Sequence, residues 1–446
     1  MRFALPRREF AVLFAVLLTV AAGNTALQTV LPAIARAIHI PDMLVAIIFS
    51  FSALLWTFSA PYWARQSDIR GRRRLMEVGV IGFGVSMLGC GIVIFAGLRG
   101  LLVPIATFVL FASLRSLFGI FGSASNPAAQ AYVAARTSES ERTNALSSLS
   151  SAFGLGTIIG PAVAPLFIIG AVGLAGPLFA FAAIAVFVWL AVRRYLPDDD
   201  PTHFPGGIGA GAEAAGAPGG AHGAAASEPT VSGGATGASL QAAAAGRGQR
   251  LSWRDPRILP FMIFGFCSGS IQAATGQAMG FLIIDRLHGS ALAAQQEIAI
   301  VFMAGAGATL LAQWGLIPMF RMTPPLLMRW GTGIAAIGTA GIALAPDFHA
   351  LVVAFALSSL GYGFARPGFT AGASLAVGHA EQGGVAGAVT SINGSCFVLA
   401  PAIGIGLYQF GPTLPYALGA VALAVLFVYA YRNPALRSEP PLRDDF

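Results

Sequence analysis

The chain has 446 residues, of which 56% are hydrophobic and only 10% charged, against roughly 25% charged in ordinary soluble domains. That composition excludes a soluble globular protein. The net charge of +7 comes from 26 basic residues, all of them arginine, and their spread over short loops points to an anionic membrane leaflet rather than to nucleic acid.

About 20 apolar residues cross a bilayer. Twelve stretches of that kind follow one another: 10–36, 43–64, 75–97, 101–133, 144–170, 174–195, 258–284, 296–318, 326–345, 349–377, 385–410 and 413–432. The arginine-then-apolar start, with Ala21-Ala22-Gly23 as a small-residue site, imitates a secretory signal peptide, but eleven further spans favour an uncleaved first helix. Asn24 and Gln28 stand four residues apart on that helix and share a face. No carboxylate accompanies them in the first span.

Between the second and third stretches lies a short basic hinge, residues 61–75, with Arg65, Arg70, Arg72, Arg73 and Arg74 and a single carboxylate, Asp68. Arginine resists translocation, so the hinge is expected on the cytoplasmic side. Gly71 is expected to turn the chain at positive φ. Counted along this topology, 21 arginines fall on the same side, while Arg36, Arg99 and Arg286 fall on the opposite one. Both termini are then cytoplasmic.

Asp68-Ile69-Arg70-Gly71-Arg72-Arg73 resembles the D-x-x-G-R-R/K signature of the major facilitator superfamily, although Ala64 replaces that family's usual glycine. The resemblance implies a secondary transporter in which Asp68, Gly71, Arg72 and Arg73 take part in gating. It implies a latch between Asp68 and the start of the eleventh span, near Gly383-Gly384-Val385. The same residues read without the family are a topogenic basic loop.

Further along, Arg115 lies deep in the fourth stretch, where charge is costly and marks function. Leu114-Arg115-Ser116-Leu117-Phe118-Gly119 resembles the R-x-x-Q-G motif of proton-coupled facilitators, with Phe118 for the usual glutamine. That implies a part in proton coupling or cavity electrostatics; the bland reading is a buried arginine bonded to backbone carbonyls. In the fifth stretch, Gly156-Thr157-Ile158-Ile159-Gly160-Pro161-Ala162-Val163-Ala164-Pro165 resembles the G-x-x-x-G-P-x-x-G-G motif of exporters, its final glycine pair replaced. Gly160 permits close helix contact, and Pro161 removes a backbone donor and bends the span. A packing kink without directional meaning is the competing reading.

Asn126 and Gln130 share a face in the fourth span, Gln272 and Gln277 lie in the seventh, Arg366 precedes Pro367 in the tenth, and Asn393 lies in the eleventh. With Asn24 and Gln28 they form a candidate substrate-binding set, each also readable as an interhelical hydrogen bond. Glu77, Asp285 and Glu297 sit near span ends. Proton coupling is therefore implied by resemblance and not by a titratable core. Cys90, Cys267 and Cys396 each fall inside a span, where they read as small packing residues with no disulfide framework and no metal cluster. No phosphate loop or nucleophile motif appears, so an ATP-driven pump or an enzyme is disfavoured.

Residues 198–250 turn abruptly to Gly, Ala, Ser and Pro and read as a flexible linker. His203 and His222 within it are too isolated for a metal site. A shift of 240 residues aligns Pro127 with Pro367, Glu141 with Glu381, Gly154 with Gly394 and Pro161 with Pro401. This points to a duplicated six-span unit with a substrate site between the copies.

The expected fold is all-α, twelve transmembrane helices in two pseudo-symmetric six-helix bundles, residues 1–197 and 251–446. The expected protein is a monomeric, multi-pass transporter of the inner (cytoplasmic) membrane, with no cofactor beyond a proton gradient. It exports a small organic molecule, most like the drug:proton antiporters. Alternatives are a carrier of an anionic metabolite or siderophore, in either direction, and a non-transporting membrane receptor or enzyme.

Overall fold

The computed structural model describes residues 6–137, 139–198, 254–287, 294–377 and 381–437. The linker, with His203 and His222, lies outside the described residues. Among the described residues twelve long helical rods run back and forth with no strand. Spans 1 to 3 are Arg7–Ile38, Asp42–Arg70 and Arg72–Leu98; span 4 is Pro104–Phe121 continued by Ser125–Arg136. Span 5 is Glu139–Val163 and span 6 Gly176–Tyr195. Span 7 is Leu259–Leu287, and span 8 runs from Ala294–Leu310 through a π-helical turn, Leu311–Leu316, into Ile317–Phe320. Spans 9 to 12 are Pro324–Leu344, Phe348–Leu375, Gln382–Phe410 and Leu414–Arg432.

Among the described residues ten helices are long and apolar enough to cross a membrane, and Gly154–Phe167 of span 5 is a shorter apolar helix. Span 7 is less apolar because it carries Ser268, Ser270, Gln272, Thr275 and Gln277. Neighbouring helices shelter polar residues of span 7: Ser268, Thr275 and Gln277 are all buried.

The duplication is visible in the packing. Span 1 packs on spans 5 and 6 as span 7 packs on 11 and 12, span 3 packs on 4 and 6 as span 9 packs on 10 and 12, and span 2 on 4 as span 8 on 10. The two bundles meet through span 2 against 11 and span 5 against 8. Exchanging each span for the one six places away reproduces these pairs, as the 240-residue shift implies.

The basic hinge is far shorter than a loop. Span 2 stays helical through Arg70 and span 3 begins at Arg72, leaving Gly71 alone between them at φ 90° and ψ 141°. Arginine is a good helix former, so only the residue without a Cβ leaves the helix. Gly71→Ala is expected to destabilise the protein by about 1–3 kcal/mol, the cost of a non-glycine residue in such a region; thermal unfolding of the purified protein measures it.

We call the end of the molecule that carries Gly71 the hinge side and the opposite end the far side. Arg36, Arg99 and Arg286 all sit at the far side, as the sequence placed them. Arg99 donates to Ala171 O at 3.1 Å, and Arg286 donates to Ala345 O at 2.9 Å, next to the last residue of span 9. A cation there meets the negative end of the helix dipole.

Candidate substrate and coupling site

Span 4 is the least regular rod in the first bundle. Pro127 cannot donate a backbone hydrogen bond, and just before it the helix tightens into a 3-10 turn, Gly122–Ala124. Span 2 supplies donors to the last carbonyls ahead of that turn. Ser59 Oγ donates to Gly119 O at 2.9 Å and Trp63 Nε1 to Ile120 O at 2.6 Å. A broken membrane helix survives where a neighbour makes such bonds.

One turn earlier on span 4, Arg115 is fully buried. Its Nη2 donates to Asn24 Oδ1 on span 1. The guanidinium carbon lies 4.2 Å from the Phe118 ring centroid and 6.0 Å from that of Phe49. Phe118, standing where the resembled motif has glutamine, therefore offers a π face instead of an amide. Nε and Nη1 of Arg115 have no hydrogen-bond partner. Among the described residues no carboxylate comes within ion-pair distance of it. A buried cation with an amide, aromatic faces and two spare donors is costly to hold unless an anion or a proton transfer uses it.

The other candidate residues separate into groups. Gln130 donates to Asn126 Oδ1 at 3.0 Å, so that pair satisfies itself along one helix. Both are buried, as are Gln28 on span 1 and Gln277 on span 7, whose Nε2 and Oε1 respectively have no partner. Arg366 Nη2 reaches Asn393 Oδ1 at 3.5 Å, linking span 10 to span 11, and Gln272 is half-buried. Polar groups from spans 1, 4, 7, 10 and 11 are thus held at mid-span in both bundles.

Gly160 behaves as its sequence position implies. A Cβ added there would lie 2.1 Å from Thr25 Oγ1 and 2.3 Å from Ala22 O, so the backbones of spans 5 and 1 touch. Thr25 Oγ1 also bonds across to Gly156 O at 3.3 Å. Pro161 lies inside the helix, which gives way to a 3-10 turn, Ala164–Phe167, three residues later.

At the hinge side Arg73 is anchored within its own bundle. It bonds Glu77 Oε1 at 3.1 Å, Arg193 O at 2.8 Å and Asp198 Oδ1 at 3.0 Å, tying the start of span 3 to the end of span 6. Arg72 is half-buried. Span 11 begins at Gln382, where the sequence places it, but the side chain of Asp68 lies outside the described residues. In the second bundle the forked guanidinium of Arg257 takes both Glu381 oxygens, at 2.7 and 2.8 Å, and Asp255 as well. Its hydrogen bonds hold the Asp255 carboxyl below the usual range. The stabilisation that follows is present above that carboxyl's unfolded pKa and is lost as pH falls through the depressed value; so exposed a pair contributes little.

The groups that sequence reasoning missed lie at the far side. Arg36 Nη2, at the end of span 1, bonds Asp42 Oδ2 at 2.9 Å at the start of span 2 and Asp285 Oδ2 at 3.0 Å near the end of span 7. Tyr408 Oη, near the end of span 11, donates to the same Asp285 oxygen at 2.6 Å. Beneath this cluster one apolar core joins both bundles, with Ile34 and Ile38 in the same cluster as Leu282, Ile283, Ile298 and Val301. At the far side the two bundles are therefore packed together. Arg36 gave a signal in being one of three arginines on the side that the positive-inside rule leaves poor in them.

Comparison with known proteins follows the same architecture. Residues 13–398 match the family description Major Facilitator Superfamily. The chain belongs to the major facilitator superfamily. This member is 29% identical over 158 residues to Multidrug resistance protein 2 of Bacillus subtilis, 35% of this chain and 36% of that protein. It is 28% identical over 157 residues to Multidrug resistance protein MdtG of Yersinia enterocolitica, 34% of each chain. It thus spans about a third of the length of the curated relatives it matches. The structure of the human organic anion transporter MFSD10 superposes with a TM-score of 0.62 at 17% identity, covering 96% of this chain and 100% of that one, a likeness of fold. A facilitator of this kind is a multi-pass membrane transporter and not an enzyme.

Proposed function

We propose that this facilitator exports a small organic molecule from the cytoplasm across the inner membrane, as a monomer, by proton-coupled antiport. The single observation that carries the reading is Arg115, a fully buried cation bonded to Asn24 and left with spare donors. A cation so poorly compensated is poised to respond when protons or ligand change the charge around it. Span 1, which carries Asn24, packs backbone to backbone on span 5, and span 5 meets span 8 of the other bundle. A change at Arg115 therefore has a short path to the interface that must rock during alternating access. The multidrug-resistance names of two partial relatives support efflux. The hinge side, rich in arginine, faces the cytoplasm in this reading.

The test uses proteoliposomes or everted vesicles with an imposed pH gradient and two probes, the cation ethidium and the anion carboxyfluorescein. Ethidium is expected to enter everted vesicles that are acid inside and to stop when a protonophore collapses the gradient. Movement that ignores the gradient overturns proton coupling. A second reading, an anionic substrate, is favoured by the same spare donors on Arg115, which match carboxylate geometry; carboxyfluorescein transported in place of ethidium selects it.

A further inference from the structure

The far-side cluster brings together four side chains from spans 1, 2, 7 and 11, two from each bundle. One nitrogen, Arg36 Nη2, serves both carboxylates, so the two Oδ2 atoms lie no farther apart than the sum of 2.9 and 3.0 Å. Two carboxylates against one guanidinium leave one negative charge without a counter-charge. The surplus is not shared evenly. Asp285 accepts a second bond from Tyr408 and is 35% exposed, whereas the Asp42 side chain is 12% exposed and is paired with Arg36. Of the other charged groups near, Arg286 is turned to the carbonyls of Ile342 and Ala345, Tyr416 is buried, and His39 is exposed in the turn before Asp42. Among the described residues Arg36 is the cation that pairs with the two carboxylates.

We propose that Arg36, Asp42, Asp285 and Tyr408 form a proton-binding latch between the bundles, in which Asp42 takes up one proton from the far side as that side seals. The protonated carboxyl removes the surplus charge and keeps its place beside Arg36, which then pairs with Asp285 alone. Sealing draws the two acids together and shields Asp42 from water, so acid favours the sealed state and alkali the open one. The sign suits an antiporter, since an external proton then promotes the return toward the cytoplasm. The latch rests on the proton-coupled reading above and supplies an acid at the contact between the bundles.

The experiment uses the full-length protein in nanodiscs with Cys90, Cys267 and Cys396 replaced. Spin labels are placed at Leu101→Cys and Leu344→Cys, exposed far-side positions in different bundles and outside the latch. Pulsed dipolar spectroscopy reads their separation between about pH 5.5 and about pH 8.5, a range that a buried or paired carboxylate can reach. In the parent protein a short distance is expected to dominate in acid, and a longer one to grow with pH by up to about tenfold per pH unit, the limit for one linked proton. Asp42→Asn is expected to hold the short distance at both ends of the range, and Arg36→Met to show the long one at both. A pH response that persists in Asp42→Asn, or a parent distance that lengthens in acid, overturns the latch. Proton-gradient-driven ethidium transport in the same preparation separates the two readings. Driven transport without a distance change sinks the latch and spares antiport, while the expected distance change without driven transport sinks antiport and spares the latch.

Discussion

Arg115→Met is expected to cut transport by at least about tenfold, the scale of one charged hydrogen bond, while the protein still inserts and melts close to the parent temperature. The reason is an asymmetry in what remains. Removing one partner of a buried ion pair strands a charge and costs about 3–5 kcal/mol, but Arg115 donates to the neutral amide of Asn24. Losing that donor costs about 1–3 kcal/mol, and removing a desolvated cation offsets it. Methionine also fills the space against Phe118 and Phe49, so no large cavity opens. Arg115→Lys keeps the charge but not the planar fork, and is expected to retain a fraction of the rate. Ethidium or carboxyfluorescein flux measured beside thermal unfolding decides the matter. A Met variant that transports at the parent rate removes Arg115 from the mechanism.

What could be read from the sequence was whatever depends on local composition or on a residue with a single conformational use. Apolar runs gave the spans, arginine placement gave the hinge side, and Gly71 was legible because only glycine takes its backbone angles without strain. Gly160 was legible for a related reason, since a helix interior rarely keeps glycine unless something approaches it. Arg115 stood out by its cost in hydrocarbon. Its partnership with Asn24 did not, because two polar residues 91 positions apart carry no mark of mutual contact. The same limit hid the far-side latch, where Arg36 and Asp285 are 249 positions apart and Asp285 looks like an ordinary helix-end carboxylate. The shared face of Asn126 and Gln130 signals a site or a mutual bond equally well, and the structure adds that the two are bonded to each other. Arg73 lies in the family's signature, and its bonds to Glu77, Arg193 O and Asp198 could not be read from that signature.

Gly160→Ala is expected to lower stability by about 1–3 kcal/mol, the usual cost of overpacking, and Gly160→Leu to prevent correct assembly of the first bundle. The added methyl would meet three atoms of span 1: Thr25 Oγ1 at 2.1 Å, Ala22 O at 2.3 Å and Ala26 N at 2.9 Å. Two of these are backbone and move only if the whole helix moves. The third cannot swing aside cheaply, because Thr25 Oγ1 donates its one proton to Ala21 O at 3.0 Å, with Gly156 O on span 5 as the alternative acceptor at 3.3 Å. Span 5 must then back away from span 1, disturbing both the Asn24 helix and the span 5 to span 8 contact between bundles, so transport is expected to fall further than stability. Gly276→Ala is the matched control. Nothing lies within 4 Å of its added Cβ, and alanine in place of a helical glycine is worth up to about 1 kcal/mol, so that variant is expected to be unchanged or more stable. Thermal unfolding and flux of both proteins give the comparison. If Gly160→Ala melts and transports like Gly276→Ala, the close approach of spans 1 and 5 is not what the glycine is for, and the segment around Pro161 returns to a packing kink.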